Sequence, residues 1–222
     1  MGMPFILLNL KTYTEGSGQR AHHIAEAAQQ VAEESGVEIG IAPSYMNIHP
    51  MSMHYSLPVY AQHVDAAAPG AHTGSVTVEA LRSAGATGSL VNHSERRLTL
   101  ADIDAAVTQL RSAGLISVVC SNNIATSAAA AALGPDFVAI EPPELIGGTV
   151  SVSQANPEII TGTVDAVQRV NPSVKILTGA GIHSGECVKV AVDLGTAGVL
   201  LASSVVKAKA PISVLRDLVS KL

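Results

Sequence analysis

Short apolar runs alternate with longer stretches of helical period along the whole chain. Eight runs stand out: Phe5–Leu8, Val37–Ile41, Leu57–Ala61, Ser89–Val91, Ile116–Cys120, Phe137–Ile140, Val174–Leu177 and Gly198–Leu201. Apolar runs this short, bounded by turn residues, read as strands buried on both faces, which is the pattern of a parallel sheet. Each is followed by a segment able to form a helix. Asn156-Pro157-Glu158 supplies a cap, a proline at the first helical position and an acid in the first turn. That helix is predicted to run to about Val170 and stop at Asn171-Pro172, because a residue before proline resists the α conformation. Thr99 and Asp102 have capping-box spacing ahead of a helix through Leu110. Ser184 caps a helix ending near Gly195, and Pro211 opens the last one. Residues 1–222 are therefore expected to form a single α/β domain, a (β/α)8 barrel.

An open doubly wound sheet is the alternative, and it calls for a dinucleotide fingerprint after the first strand. The nearest match, Gly179-Ala180-Gly181 through Gly185, follows the seventh run and places its last glycine one position late.

Composition narrows the function classes. Of 222 residues, 47% are hydrophobic and only 14% charged, so the chain collapses rather than staying disordered. A formal net charge of -5 argues against a nucleic-acid surface. Mean hydropathy is +0.34, but no apolar stretch reaches the ~18 residues of a membrane span. The start, Met1-Gly2-Met3-Pro4-Phe5-Ile6, has no basic n-region and lacks a myristoylation serine or threonine at residue 6. Cys120 and Cys187 lack metal-ligand spacing and suit a reducing, cytoplasmic compartment, and the eight histidines form no metal pattern. Asn92-His93-Ser94 fits the glycosylation acceptor pattern, with no secretory route to use it.

In a barrel the chemistry sits at the C-terminal ends of the strands. Run one ends in Asn9-Leu10-Lys11, run four in Asn92-His93-Ser94-Glu95-Arg96-Arg97, and run six in Glu141-Pro142-Pro143-Glu144-Leu145-Ile146-Gly147. Runs seven and eight end in the small-residue loops Gly179-Ala180-Gly181 and Ala202-Ser203-Ser204. Singly, Lys11 reads as a solvated side chain, His93 as a structural histidine and Glu141 as a cap. Together they place a cation, an imidazole and a carboxylate at one mouth. A carboxylate can remove a proton from carbon beside a carbonyl if the developing oxyanion is stabilised, and imidazole and ammonium donors do that in a dry site. Small-residue loops after strands seven and eight offer bare backbone N–H groups for phosphate. The pattern thus points to proton abstraction beside a carbonyl of a small phosphorylated molecule.

These three motifs, the His-Ser-Glu-Arg-Arg block above all, resemble those of the triosephosphate isomerase family. The resemblance spans essentially the whole chain. Glu144, where bacterial and eukaryotic members carry tryptophan, is similar to the archaeal branch. The resemblance implies interconversion of glyceraldehyde 3-phosphate and dihydroxyacetone phosphate with no cofactor and no metal. It implies that Glu141 is the base, His93 the neutral electrophile and Lys11 the positive charge, with Asn9 packing the same corner. Glu95 would anchor Lys11 and His93 from beneath, and Ile146, Gly147, Gly181, Ala202 and Ser203 would hold phosphate through backbone N–H groups. Two departures stand out. Gly181 replaces a serine and Ala202-Ser203 a glycine pair, and the loop that begins at Pro142-Pro143, which the resemblance implies is a hinged lid, ends Gly147-Gly148-Thr149 rather than Gly-Thr-Gly. The stretch Gly70-Ala71-His72-Thr73-Gly74 resembles the family loop that enters a neighbouring subunit, implying a homodimer or homotetramer with Thr73 at the contact. Against this stand another phosphate-binding barrel enzyme, acting on an indole or imidazole sugar phosphate, and a non-catalytic relative. The motif block argues against the first and intact Lys11, His93 and Glu141 against the second.

Overall fold

The computed structural model describes residues 4–143 and 151–222. Eight strands alternate with helices: β1 (Phe5–Asn9), β2 (Glu38–Ala42), β3 (Tyr60–Ala61), β4 (Gly88–Val91), β5 (Ile116–Ser121), β6 (Phe137–Ile140), β7 (Lys175–Thr178) and β8 (Gly198–Leu201). The helices of the first half are α1 (Gly18–Ser35), α2 (Tyr45–His54), α3 (Val78–Ser83), α4 (Leu100–Ser112) and α5 (Ile124–Ala132). Those of the second half are α6 (Val152–Ala155), α7 (Pro157–Val170), α8 (Gly185–Asp193), α9 (Ser203–Val206) and α10 (Pro211–Val219).

All strand pairs are parallel, in the order β2-β1-β8-β7-β6-β5-β4-β3. The barrel is nearly closed. Its two end strands meet at a single bridge, Ile41 to Val59, where Ile41 N–H donates to the Pro58 carbonyl at 2.9 Å. The sequence predicted a third strand over Leu57–Ala61, but the ladder there holds only Tyr60 and Ala61. Pro58 has no N–H to give to a ladder, so pairing cannot extend through it.

The expected caps form. The Asn156 side chain accepts from Ile159 N–H, Thr99 from Asp102 N–H and Ser184 from Cys187 N–H. Two cores follow from the period-two strands. Phe5, Leu7, Leu90, Val118, Cys120, Ala139, Leu177 and Leu200 fill the barrel interior. Ile6, Leu8, Ile39, Val119, Val138 and Val199 face the helices. One step beyond the interior layer, the same alternation carries Asn9 and Glu141 into the C-terminal mouth. Among the described residues no helix is long and apolar enough to cross a membrane.

Candidate active site

A cavity of about 740 Å³ opens at that mouth. Its lining includes Asn9, Lys11, His93, Glu95, Glu141, Gly181, Ala202 and Ser203, so one cavity gathers most of the residues singled out from sequence. Ile146 and Gly147, with the rest of the expected lid end, lie outside the described residues. Thr73 is elsewhere, on an exposed loop. That loop is fastened at its base, where Asp65 Oδ2 accepts from Val76 N–H at 2.7 Å and Asp65 N–H donates to the Val76 carbonyl at 2.8 Å.

Three non-glycine residues have left-handed φ: Lys11 at 49°, Asn92 at 61° and Ala180 at 74°. They follow β1, β4 and β7, all at the mouth. Such angles cost about 1 kcal/mol or more and persist only where the surroundings over-determine them. At Lys11 the surroundings are explicit. Its N–H donates to Asn9 Oδ1 (2.9 Å), its carbonyl accepts from Gln62 Nε2 (2.8 Å), and its Nζ donates to Glu95 Oε1 (2.7 Å). Asn92 breaks the alternation of β4. Its side chain donates to the Cys120 carbonyl at 2.9 Å and accepts from Leu98 N–H at 2.9 Å, and His93 rather than Asn92 then enters the cavity.

His93 is buried, and its Nδ1 accepts from Glu95 N–H at 3.2 Å. That bond assigns the ring proton to Nε2. Burial, with the positive charge of Lys11, lowers the His93 pKa to about 4, against the opposing pull of Glu95. The ring is therefore a neutral donor at neutral pH. Glu95 touches both partners expected of it, because its Oε2 also lies 3.6 Å from His93 Nδ1.

Glu141 moves the other way. Burial raises its pKa to about 7, while Lys11 and the neighbouring Cys120 thiol draw it down. Its seat depends on Gly179, where a Cβ would fall 2.8 Å from Glu141 Cγ and 2.9 Å from the Leu200 carbonyl oxygen. His93 Nε2 and Glu141 Oε2 stand 3.5 Å apart, each buried and without a hydrogen-bond partner among the described residues. Two orphaned polar atoms facing each other mark a place where a ligand's polar atoms complete the bonding. One is a donor held neutral, and the other is a base whose pKa lies near neutrality, as proton transfer requires.

On the opposite wall, the loops after β7 and β8 are tied together by Ser204 Oγ donating to the Ile182 carbonyl at 2.8 Å. α9 begins at Ser203 with no side-chain cap, so its first N–H groups are left for another acceptor. No group of three or more metal-ligating side chains occurs among the described residues.

Four contributors were missed from sequence. Gln62 follows β3 and emerges once the polar residue after that strand is considered like the others. Asn92 and Cys120 act through a backbone turn and a buried thiol. Gly179 was read as part of a phosphate loop, whereas its nearest role is to make room for Glu141.

The family model described as triosephosphate isomerase matches residues 4–221. A triosephosphate isomerase of Methanoculleus marisnigri is 68% identical over 222 residues, covering all of both chains. That of Methanothermobacter thermautotrophicus is 53% identical over 99% of this chain and 96% of its own length. That of Methanocaldococcus jannaschii is 51% identical over 96% of this chain and 98% of its own.

Proposed function

The chain belongs to the triosephosphate isomerase family, and on that premise we propose that Glu141, His93 and Lys11 carry out the family's reaction. That reaction interconverts D-glyceraldehyde 3-phosphate and dihydroxyacetone phosphate by proton transfer through an enediolate, in glycolysis and gluconeogenesis. The observation that carries the assignment of roles is the facing pair of unpartnered atoms, His93 Nε2 and Glu141 Oε2, 3.5 Å apart beside the Lys11 ammonium.

Glu141 removes the proton from the carbon beside the carbonyl and returns it to the neighbouring carbon. His93 donates its Nε2–H to the oxygen that gains charge. Because the ring starts neutral, donor and oxyanion are closer in proton affinity than an imidazolium and oxyanion would be. This family is itself a standard illustration of such pKa tuning. Lys11 supplies positive charge to the same oxygen and to the phosphate, with Asn9 and Glu95 fixing its backbone and its ammonium. Gly181, Ala202 and Ser203 present backbone N–H groups to the phosphate, the role that the family resemblance gives to Ile146 and Gly147 as well.

The same reading extends to assembly and compartment. Residues 1–222 act as one domain that associates as a homodimer or homotetramer, Thr73 packing against the partner. Glu95 supports this, because a side chain bonded to Lys11 and touching His93 is 58% exposed in the single chain and a partner would cover it. Two buried, unpaired cysteines, Cys120 and Cys187, favour a reducing cytoplasm. A coupled assay that reads dihydroxyacetone phosphate formed from D-glyceraldehyde 3-phosphate tests the function. Turnover lost in Glu141→Gln is the expected result, and wild-type-like turnover in that variant sinks the assignment of roles.

A further inference from the structure

The charges lining the cavity do not suit its substrate by themselves. Glu95 and Glu141 are acidic, Lys11 is cationic, and His93 is held neutral. The Lys11 ammonium is moreover already bonded to Glu95. A phosphate monoester near neutral pH carries a charge of roughly -1.5 to -2. Two nearby cations stand outside the lining and are engaged elsewhere. Arg97 donates to the Asn92 carbonyl at 2.9 Å, and the Lys207 ammonium lies 4.4 Å over the Tyr13 ring. Residues 144–150 read Glu-Leu-Ile-Gly-Gly-Thr-Val and hold no lysine, arginine or histidine.

On the phosphate-facing wall, Gly181 and Ala202 have no polar side chain, and the Ser204 hydroxyl donates to the Ile182 carbonyl. His183 stands on this wall, lining the cavity with an exposed ring two residues beyond Gly181. Its loop is fixed on both sides, by Ser204 through Ile182 and by Ser184, which caps α8. His183 Nδ1 lies 4.0 Å from the buried Cys187 Sγ, and Nε2 has no protein partner among the described residues.

We infer that His183 binds the phosphate group of the substrate, supplying from the wall opposite Lys11 the side-chain N–H donor that Gly181 lacks. The inference rests on the isomerase reading of this cavity and adds a binding residue to it. Charge-assisted hydrogen bonds to phosphate are among the stronger contacts a side chain makes, and a planar or pre-fixed donor loses little freedom on binding.

The test uses the full chain and inorganic phosphate as probe, with binding measured by calorimetry and turnover measured separately. In His183→Leu, phosphate binding should weaken by about five- to tenfold. KM for glyceraldehyde 3-phosphate should rise by a similar factor, while kcat changes by less than about twofold. His183→Lys should restore phosphate affinity to within about twofold of the parent. Equal phosphate affinity in the parent and in His183→Leu overturns the inference, as does failure of His183→Lys to restore a loss. Because phosphate binding is read directly, absence of turnover in the parent would count against the isomerase reading alone and leave the His183 result standing.

Discussion

Replacing Glu141 by glutamine should stabilise the protein while disabling it. The residue is 7% exposed, and burial lifts its pKa from an ordinary 4.5 to about 7. Between those two values the folded chain holds a proton that the unfolded chain releases. Stability therefore falls as pH rises through that window and stays reduced above it. At about 1.4 kcal/mol per pKa unit, the difference corresponds to roughly 3 kcal/mol at pH 8 and under about 1 kcal/mol at pH 5. Glutamine keeps the shape and removes the charge, so the Gln variant should gain relative to the parent mainly at high pH. Part of the gain is offset by the new amide N–H groups, which need acceptors in the same pocket. That offset does not change with pH, so the gain should be about 2 kcal/mol larger at pH 8 than at pH 5. His93, whose pKa is lowered to about 4, is largely neutral in the folded chain at both pH values and adds little to the comparison. Urea unfolding of parent and variant at the two pH values measures this directly. Turnover of the variant should fall by roughly a thousandfold, within the range of a lost general base. A stability difference that is the same at pH 5 and pH 8 would refute the claim that Glu141 is a carboxylate held charged against burial.

Three further outcomes follow from the same geometry. Lys11→Met should weaken phosphate inhibition and slow turnover. Because Lys11 lowers the pKa of Glu141, the acid limb of the residual kcat/KM profile should move to higher pH than the parent's limb near 7, and an unmoved limb would place Lys11 away from the base. Gly179→Ala puts a methyl 2.8 Å from Glu141 Cγ and 2.9 Å from a backbone oxygen, so kcat should fall at least tenfold, and kcat equal to the parent's would show that Glu141 does not need that space. Thr73→Arg would bury an unpaired charge at the proposed contact between subunits and drive the protein towards monomer with loss of activity. Light scattering and turnover on one sample check this, and an oligomeric, fully active variant would dispose of the docking of that loop.

Much of this architecture was legible because burial on both faces of a strand leaves a plain mark. Runs such as Phe137–Ile140 and Gly198–Leu201 coincide with β6 and β8. Asn156-Pro157 and Ser184 marked helix starts because caps are local chemistry. β3 was overextended because its apolar residues are genuinely buried, whereas pairing is limited by the missing N–H of Pro58, which hydropathy does not register. Lys11, His93 and Glu141 were legible as polar residues closing apolar strands. The devices that aim them were not. The left-handed turn at Lys11 occurs on a residue type that usually avoids that conformation, nothing local announces the one at Asn92, and the Gln62 clamp joins residues 51 apart in sequence. Gly179 makes room for a side chain from another strand, and such steric relations exist only once the barrel is closed.

The single bridge between Ile41 and Val59 makes the barrel a ring with one weak clasp. Opening a ring at its clasp needs fewer hydrogen bonds to break than opening it anywhere along β4, β5 and β6, so the amide of Ile41, bonded across the clasp to the Pro58 carbonyl, should lead exchange with solvent among the strand ends. The clasp is also the corner that Gln62 spans, from the Ala42 carbonyl at 3.1 Å to the Lys11 carbonyl at 2.8 Å. Breathing there loosens the hold on the Lys11 backbone, from which the ammonium needed by a phosphorylated substrate is aimed. By mass action, a ligand that requires the closed corner suppresses the breathing. Saturating phosphate should slow exchange at Ile41 more than at Val119 in the middle of β5, so that the barrel's point of entry for solvent reports whether its mouth is filled.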